Sequence, residues 1–227
     1  MRQKKMNEDI AMLDIASLTE NGQLFKQLKE FQAIQQLYSS AVKEVSTKLE
    51  VLNDEFKIRY DHNPIRHMEN RIKAPKSIIE KLQRNGLPVN IQSAQENLND
   101  IAGIRVVCCY IDDIYKIAEL LLKQRDVTLV KRKDYITHPK ENGYRSLHLV
   151  VKIPVFLSER VVAVPVEIQI RTVAMDFWAS LEHQLRYKKN QTSCSEIDAE
   201  LLECAESIST LDVKMQNLYK QVNTEAE

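Results

Sequence analysis

A short segment with alternating apolar and polar residues constrains the fold of this chain more than any other feature. From Val166 to Thr172 the apolar side chains occupy every second position, and Glu167, Gln169 and Arg171 lie between them. Because successive side chains of a strand point to opposite faces, this pattern predicts a strand with one buried face and one polar face. The apolar face needs cover, so the segment belongs to a sheet that packs on other elements.

A turn and a second strand precede this segment. Pro139 fixes φ and Gly143 tolerates positive φ, which predicts a turn before a strand from Tyr144 to Pro154. The connection between the two strands, residues 155–160, is short enough for a hairpin. We therefore expect their polar faces to lie side by side. On the strand predicted from residue 144 to residue 154, the polar face consists of Tyr144, Ser146 and His148.

Apolar residues at three- and four-residue spacing predict helices on both sides of these strands. A long amphipathic helix is predicted over residues 23–57, and an acidic helix over residues 196–221. Two more strands (104–110 and 127–130) and two more helices (112–123 and 172–188) are predicted between them. This order predicts an α+β fold, a mixed β-sheet flanked by helices, with long N- and C-terminal helices.

Two prolines are predicted to begin short helices upstream of the sheet. One helix is expected to start at Asn63-Pro64. In the other, Pro75 occupies a first-turn position and Gly86 lies where the helix would end. The residues predicted to form one polar stripe on this second helix are Ser77, Lys81 and Arg84.

Charge is segregated along a chain whose formal net charge is zero. Residues 57–84 hold eight Lys and Arg against three acids, and residues 123–145 hold seven against three. Residues 196–227 hold eight acids against two lysines. Basic residues are thus concentrated near the polar strands, but nucleic-acid binders usually carry an overall positive excess. Nucleic acid is therefore not an expected partner.

The cysteine pattern and the hydropathy of the chain predict its cellular compartment. The four cysteines include no CxxC pair, which favours buried thiols in a reducing compartment over a metal site. The basic start of the chain is soon interrupted by acids, so we predict no signal peptide. No apolar stretch approaches the ~20 residues that a membrane span needs. The sequence predicts a cytoplasmic protein without a membrane partner.

Scarcity of glycine limits how this chain can bind phosphates. Its four glycines form neither a Walker loop nor a dinucleotide-binding GxGxxG, so Lys and Arg side chains would have to supply the contacts. Asp100 and Glu167 are the candidate metal pair, because Mg²⁺ takes one or two carboxylates together with phosphates and water. The candidate cations are Arg71, Lys73, Lys81, Arg84, Arg105, Lys133, Lys140 and Arg171.

Four of the candidate site residues also have a purely structural interpretation. Asp100 suits a turn or a helix cap, and Glu167 suits a strand face that is open to water. Tyr144 suits either stacking on a base or packing in the core. His148 suits either a metal or phosphate contact or a hydrogen-bonded position in the sheet. These alternatives stay open on spacing alone.

Several ordered motifs resemble the synthetase domain of RelA/SpoT-type alarmone enzymes. They are Arg71-x-Lys73, Asp100-Ile-Ala-Gly-Ile-Arg105, Lys133-Asp134-Tyr-Ile, Lys140-Glu-Asn-Gly-Tyr-Arg-Ser-Leu-His148 and Glu167-Ile-Gln-Ile-Arg-Thr172. The chain resembles a stand-alone small alarmone synthetase of the RelP-like branch, which implies a nucleotidyltransferase-like synthetase fold. We expect an N-terminal helical arm (1–60), a synthetase domain (61–190) and an acidic C-terminal helix for oligomerisation (191–227).

The resemblance implies a GTP diphosphokinase of the stringent response, which transfers the β,γ-diphosphate of ATP to the 3′-hydroxyl of GDP or GTP. It implies that Asp100 and Glu167 are catalytic and bind Mg²⁺, and that Glu167 takes the hydroxyl proton. The expected ATP-binding residues are Arg71, Lys73, Ser77, Lys81, Arg84 and Arg105. The expected GDP- or GTP-binding residues are Lys133, Lys140, Tyr144, Ser146, His148, Gln169 and Arg171. A homotetramer is also expected.

Two positions depart from patterns found in some relatives. Lys131 and Asp176 replace residues that are common there, which leaves the preference between GDP and GTP open. Three alternative functions stay open as well. They are a nucleotidyltransferase, an RNA-binding module that uses the basic face, and an inactive oligomeric scaffold.

Overall fold

A computed structural model describes residues 32–188 and 195–224 of the chain. By internal contacts, the chain divides into a unit that ends at Leu37 and a unit that begins at Tyr38. The sheet and the candidate site belong to the second unit. The predicted helix 23–57 is observed from residue 32 and continues to residue 60, and its predicted start lies outside the described residues.

The helices and strands follow one another in an order close to the predicted one. They are α1 (residues 32–60), β1 (Ile65–Ile72), α2 (Pro75–Arg84), α3 (Ile91–Asn97), β2 (Ala102–Cys108), α4 (Ile111–Leu122), β3 (Thr128–Asp134), β4 (Leu147–Phe156), β5 (Val161–Thr172), α5 (Val173–Lys188) and α6 (Ser195–Thr224). None of the helices in the described ranges combines the length and the apolar character that a membrane crossing needs.

The strands form one mixed sheet in the order β1-β2-β5-β4-β3. β2 and β5 are parallel, and the other neighbouring pairs are antiparallel. β4 and β5 form the predicted hairpin, in which Val150 pairs with Glu167 and His148 pairs with Gln169. On the other side of β5, Glu167 pairs with Gly103 of β2. Glu167 is therefore at the centre of the sheet.

The apolar faces of the central strands form the core. Val166, Ile168 and Ile170 of β5 are fully buried, as their alternation predicts. α4 and α5 lie against β2 and β5, and α6 packs on both of these helices. α1 also contributes to the core, because Ala41, Val45 and Leu49 at helical spacing are fully buried. The polar side chains of β5 are on the opposite face of the strand and are available to form the candidate site.

The structure corrects two predictions. Asn63-Pro64 does not begin a helix, because β1 starts at Ile65 and pairs antiparallel with β2 along the edge of the sheet. The strand predicted from Tyr144 begins instead at Leu147. Tyr144 belongs to the preceding loop, where its carbonyl accepts a hydrogen bond from the Lys140 amide.

Candidate active site

Two carboxylates lie at the wall that two adjoining cavities share. Asp100 lies two residues before β2, and Glu167 is in the middle of the neighbouring parallel strand β5. Both side chains line the cavity bounded by β1, β2 and β5, called here the β1-side cavity. Both also line a second cavity toward β3 and β4, called here the β3-side cavity. Groups bound in the two cavities would therefore meet at these carboxylates.

Asp100 is held by two lysines. Its Oδ2 atom lies 2.5 Å from Lys73 Nζ and 2.6 Å from Lys81 Nζ. Burial disfavours the charged carboxyl, but hydrogen bonds and charge from the two lysines outweigh it, so the pKa of Asp100 lies below its usual value. The other oxygen, Oδ1, is buried and has no hydrogen-bond partner among the described residues. Asp100 is thus ionised and keeps one oxygen free for a cation.

Glu167 lies beside a neutral amide and a neutral imidazole instead of lysines. Gln169 Nε2 donates a hydrogen bond to Glu167 Oε2 over 3.0 Å. His148 Nδ1 lies 3.7 Å from the other oxygen, Oε1. Burial, followed by the charges of Arg171, Lys140 and Lys133, lowers the pKa of His148 to about 4, so this imidazole is neutral at physiological pH.

Four of the charged residues that line the β1-side cavity form two ion pairs with one another. Arg105 Nη1 donates to Glu69 Oε2 over 2.9 Å, and these two residues are direct cross-strand partners. Arg105 Nε lies 3.7 Å from Asp176 Oδ1 on α5. Arg71 and Lys73 also line this cavity, as does Gln169. Of the predicted ATP-binding residues, Arg71, Lys73 and Arg105 therefore lie together.

The β3-side cavity is strongly cationic. Lys81 at the end of α2, Lys131 and Lys133 on β3, and Lys140 on the following loop line it, together with His148. The predicted acceptor-binding residues Lys133, Lys140 and His148 therefore share this cavity. Lys81, predicted to bind ATP, lines it as well and reaches the shared wall through Asp100.

Aromatic rings form a cluster beside the β3-side cavity. The ring of His148 is edge-on to Tyr135 and to Tyr144, with centroids 5.1 and 5.8 Å away. Lys140 Nζ lies over both tyrosines, 4.9 Å from the centroid of Tyr135 and 4.7 Å from that of Tyr144. Tyr144 also packs on the buried cluster of Trp178, Ala179 and Ala205. Its ring therefore contacts both the core and the site.

A glycine allows α6 to approach this loop. Gly143 has φ +85°, as predicted for the turn, and a Cβ at this position would lie 2.5 Å from Cβ of Ala205 on α6. Arg145 Nη1 donates to the carbonyls of Gly143 and Ala205. α6 thereby fixes the loop that carries Lys140 and Tyr144.

Two predicted acceptor-binding residues are buried and do not line either cavity. Ser146 is fully buried, and its hydroxyl donates to the Ile170 carbonyl. Arg171 is 3 % exposed and donates to Asp176, Tyr144 and Gln169. Alternation places both on the polar side of the sheet, but α5 and the loop before β4 cover them.

Two predicted ATP-binding residues on α2 also lie outside the lining of the cavities. Of the polar stripe, only Lys81 lines the β3-side cavity, whereas Ser77 is half-buried and Arg84 is exposed. Their assignment to ATP stays a prediction.

Several lining residues were not among the predicted site residues. Glu69 and Asn70 come from β1, and Asn97 and Asn99 from the end of α3 and the loop after it. No strong periodicity marks either segment. Tyr135 is different, because Lys131, Lys133 and Tyr135 recur at every second position and line the same cavity. That alternation could have revealed Tyr135 from the sequence.

Comparison with known families identifies this architecture. The family described as "Region found in RelA / SpoT proteins" matches residues 70–192, a range that includes Asp100 and Glu167. The chain belongs to the RelA/SpoT family. GTP pyrophosphokinase YwaC of Bacillus subtilis is 44% identical over 187 residues, which cover 82% of this chain and 89% of YwaC. The predicted family resemblance is therefore confirmed.

Solved structures of small alarmone synthetases match this family member over most of their length. Small alarmone synthetase 1 of Bacillus subtilis, bound to its product pppGpp, superposes with a TM-score of 0.79 at 37% identity. The match covers 86% of this chain and 99% of that chain. The same synthetase bound to AMPCPP gives a TM-score of 0.74 at 35% identity, with the same coverage. The chain is thus a small alarmone synthetase, and the predicted α+β fold is confirmed.

Proposed function

We propose that this protein transfers the β,γ-diphosphate of ATP to the 3′-hydroxyl of GDP or GTP, making ppGpp or pppGpp and AMP in the stringent response. One observation carries the proposal: two cavities meet at a wall formed by Asp100 and Glu167, and cations surround that wall. A donor and an acceptor nucleotide bound in the two cavities would bring a phosphate chain and a hydroxyl to the same carboxylates. Relatives named GTP pyrophosphokinase, and a related structure bound to pppGpp, support this reaction.

The β1-side cavity suits the ATP. Arg71 and Arg105 offer planar guanidinium groups on which adenine can stack, and Lys73 and Lys81 offer charge for the phosphates. The β3-side cavity suits the acceptor, because Lys133 and Lys140 can hold its 5′-phosphates and the neighbouring aromatic rings can contact guanine. A related synthetase structure bound to AMPCPP supports an adenine nucleotide as one occupant.

The chemical step is a displacement at phosphorus. The 3′-oxygen attacks the β-phosphorus of ATP, and its proton passes to Glu167. The bond from the β-phosphorus to the oxygen that bridges to the α-phosphorus breaks, and AMP leaves with that electron pair. Because such transfers depend on positioning and on neutralisation of charge, the cations around the shared wall would supply much of the catalysis.

Asp100 and Glu167 would hold a divalent cation at the shared wall. The residues fit Mg²⁺, since Asp100 keeps a buried oxygen without a partner and Glu167 lines the same cavities. No group of three or more potential metal-ligating side chains occurs among the described residues, so phosphates and water would complete the coordination. When bound, the ion would neutralise charge on the transferred diphosphate.

We further propose a cytoplasmic homotetramer. α6 exposes Leu211, Leu218 and Val222, at 53%, 54% and 68% of their surface, and α5 exposes Phe177 at 60%. Apolar surface of this kind is usually covered by a partner. Light scattering coupled to gel filtration should give about four times the 26.3 kDa chain mass. A monomer mass at micromolar concentration would contradict the proposal.

One assay tests the reaction. Purified protein is incubated with labelled ATP, GDP or GTP and Mg²⁺, and the products are separated by chromatography. We expect AMP and ppGpp or pppGpp in equal amounts. Release of pyrophosphate would indicate a nucleotidyltransferase instead, and no turnover with either acceptor would contradict both activities.

A further inference from the structure

One buried guanidinium connects most of the polar residues behind the shared wall. Arg171 follows Glu167 by four positions on β5, and its side chain is covered by α5 and by Tyr144. Asp176 Oδ1 accepts from Arg171 Nη1 over 3.3 Å and so keeps the guanidinium in place. Arg171 Nη2 then donates to two different acceptors, the Gln169 side chain and the Tyr144 hydroxyl. Each acceptor begins a chain of contacts that ends at Glu167.

The first relay passes through Gln169. Its Oε1 atom accepts from Arg171 Nη2 over 2.9 Å, and its Nε2 atom donates to Glu167 Oε2 over 3.0 Å. Because a guanidinium can only donate, the amide oxygen must face Arg171 and the amide nitrogen must face Glu167. Arg171 therefore fixes the orientation in which Gln169 meets the carboxylate.

The second relay passes through Tyr144 and His148. The Tyr144 oxygen accepts from Arg171 Nη2 over 3.1 Å, and it lies 2.8 Å from His148 Nε2. Because Nδ1 faces the Glu167 carboxylate, which can only accept, we assign the His148 hydrogen to Nδ1, and Nε2 then accepts from the Tyr144 hydroxyl. Nδ1 lies 3.7 Å from Glu167 Oε1. This separation is longer than a hydrogen bond, but it presents an oriented N–H dipole to the second carboxylate oxygen.

We propose that Arg171 is a positioning residue that acts through these two relays to fix the orientation of the Glu167 carboxylate for the transfer reaction. The inference rests on the proposed function, and it assigns Arg171 a role behind the site instead of a contact with the acceptor nucleotide. It also gives Tyr144 two separable roles. The ring can contact guanine, whereas the hydroxyl serves the second relay.

The hydroxyl can be removed without the ring. In Tyr144→Phe we expect kcat to fall on the order of tenfold, as for other residues that orient a reacting group. The KM values for ATP and for the acceptor should stay near wild type, because the ring and the cavity lining are retained. Arg171→Lys should lower kcat at least as much, since a lysine cannot donate to both relays in the planar geometry of a guanidinium.

Arg125→Lys is the matched control, because Arg125 is exposed and lies outside both cavities. It should leave kcat and the melting temperature unchanged. Should Arg171→Lys fail to fold, Tyr144→Phe still tests the relay. A folded Tyr144→Phe protein with wild-type kcat, or a loss confined to the acceptor KM, would overturn the proposal.

The tautomer of His148 supplies a readout that does not depend on turnover. In ¹⁵N-histidine-labelled protein, with the His148 signals assigned by their loss in His148→Gln, we expect the Nδ1–H tautomer in the wild type. In Tyr144→Phe this preference should be lost. A wild-type His148 with its hydrogen on Nε2 would contradict the second relay. A wild type with the expected tautomer but no product would instead contradict the proposed reaction and leave the relay supported.

Discussion

The two cavities differ in how their charges are balanced. In the β1-side cavity two of the three cations have carboxylate partners within the protein, because Arg105 pairs with Glu69 and Lys73 pairs with Asp100. In the β3-side cavity Lys131, Lys133 and Lys140 form no ion pair with any described carboxylate. Two of them, Lys133 and Lys140, lie near aromatic rings instead. The first cavity is organised by the protein itself, whereas the second needs an anion to balance its charge.

This difference suggests how the two substrates are held. Paired charges on neighbouring strands are preorganised, so the donor would meet a cavity whose geometry already exists. Unpaired lysines on a loop and an edge strand attract a multiply charged anion over a distance and contact it when it binds. The shared wall belongs to both cavities, which gives it the largest expected effect on mutation.

Replacing Glu167 by Gln should affect both cavities at once. The substitution keeps side-chain size and strand register but removes the candidate base and one metal-binding charge. We expect kcat to fall on the order of 10²-fold or more, with an unchanged melting temperature. A variant that retains about a tenth of wild-type turnover would exclude Glu167 as the base.

Replacing Tyr144 by Ala removes the ring as well as the hydroxyl, so it should weaken the acceptor in addition to the loss of kcat expected for Tyr144→Phe. Base stacking contributes roughly 1–3 kcal/mol, so the acceptor KM should rise about 5- to 140-fold while the ATP KM stays constant. Because Tyr144 also packs on the Trp178 cluster, the melting temperature of the variant must be measured. An equal loss of ATP affinity would identify Tyr144 as a packing residue and remove the contrast between the cavities.

The polar face of β5 shows how far the sequence could predict this site. Alternation correctly assigns Glu167 and Gln169 to the face that lines the cavities, since both positions lie between fully buried neighbours. Arg171 is on the same face, but α5 begins two residues later and Asp176 covers it. Alternation predicts on which side of the sheet a residue lies. Whether that side is covered depends on how other elements of the chain pack on it.

β1 shows where local sequence signals fail. Its residues are mostly exposed because the strand is at the edge of the sheet, so no clean alternation marks it. The preceding Asn63-Pro64 predicts the start of a helix, although a proline is also tolerated just before an edge strand. Pairing with β2 determines the structure of this segment, and with it the positions of Glu69 and Arg71. Such pairing is not visible in the residues themselves.

Substitution of Lys81 tests whether the two cavities are coupled through Asp100. Lys81→Ala removes one of the two lysines on that carboxylate, so we expect the ATP KM to rise or kcat to fall about tenfold, as for a lost charged hydrogen bond. Arg84→Ala is the matched comparison, because Arg84 is on the same helix but exposed and outside both cavities. An equal effect of the two substitutions would show that charge on α2 matters without the contact to Asp100.

The smallest expected effect is a difference in salt sensitivity between the substrates. Raising ionic strength from 0.1 to 1 M shortens the screening length from about 10 Å to about 3 Å. The acceptor KM should therefore rise a few-fold more than the ATP KM, because only the β3-side cavity presents lysines without carboxylate partners among the described residues. Lys133→Gln should flatten this dependence, whereas Arg132→Gln, which changes the neighbouring residue outside the cavity lining, should not. Equal salt dependence of the two KM values, or an equal response of these variants, would mean that the cavities do not differ in unbalanced charge.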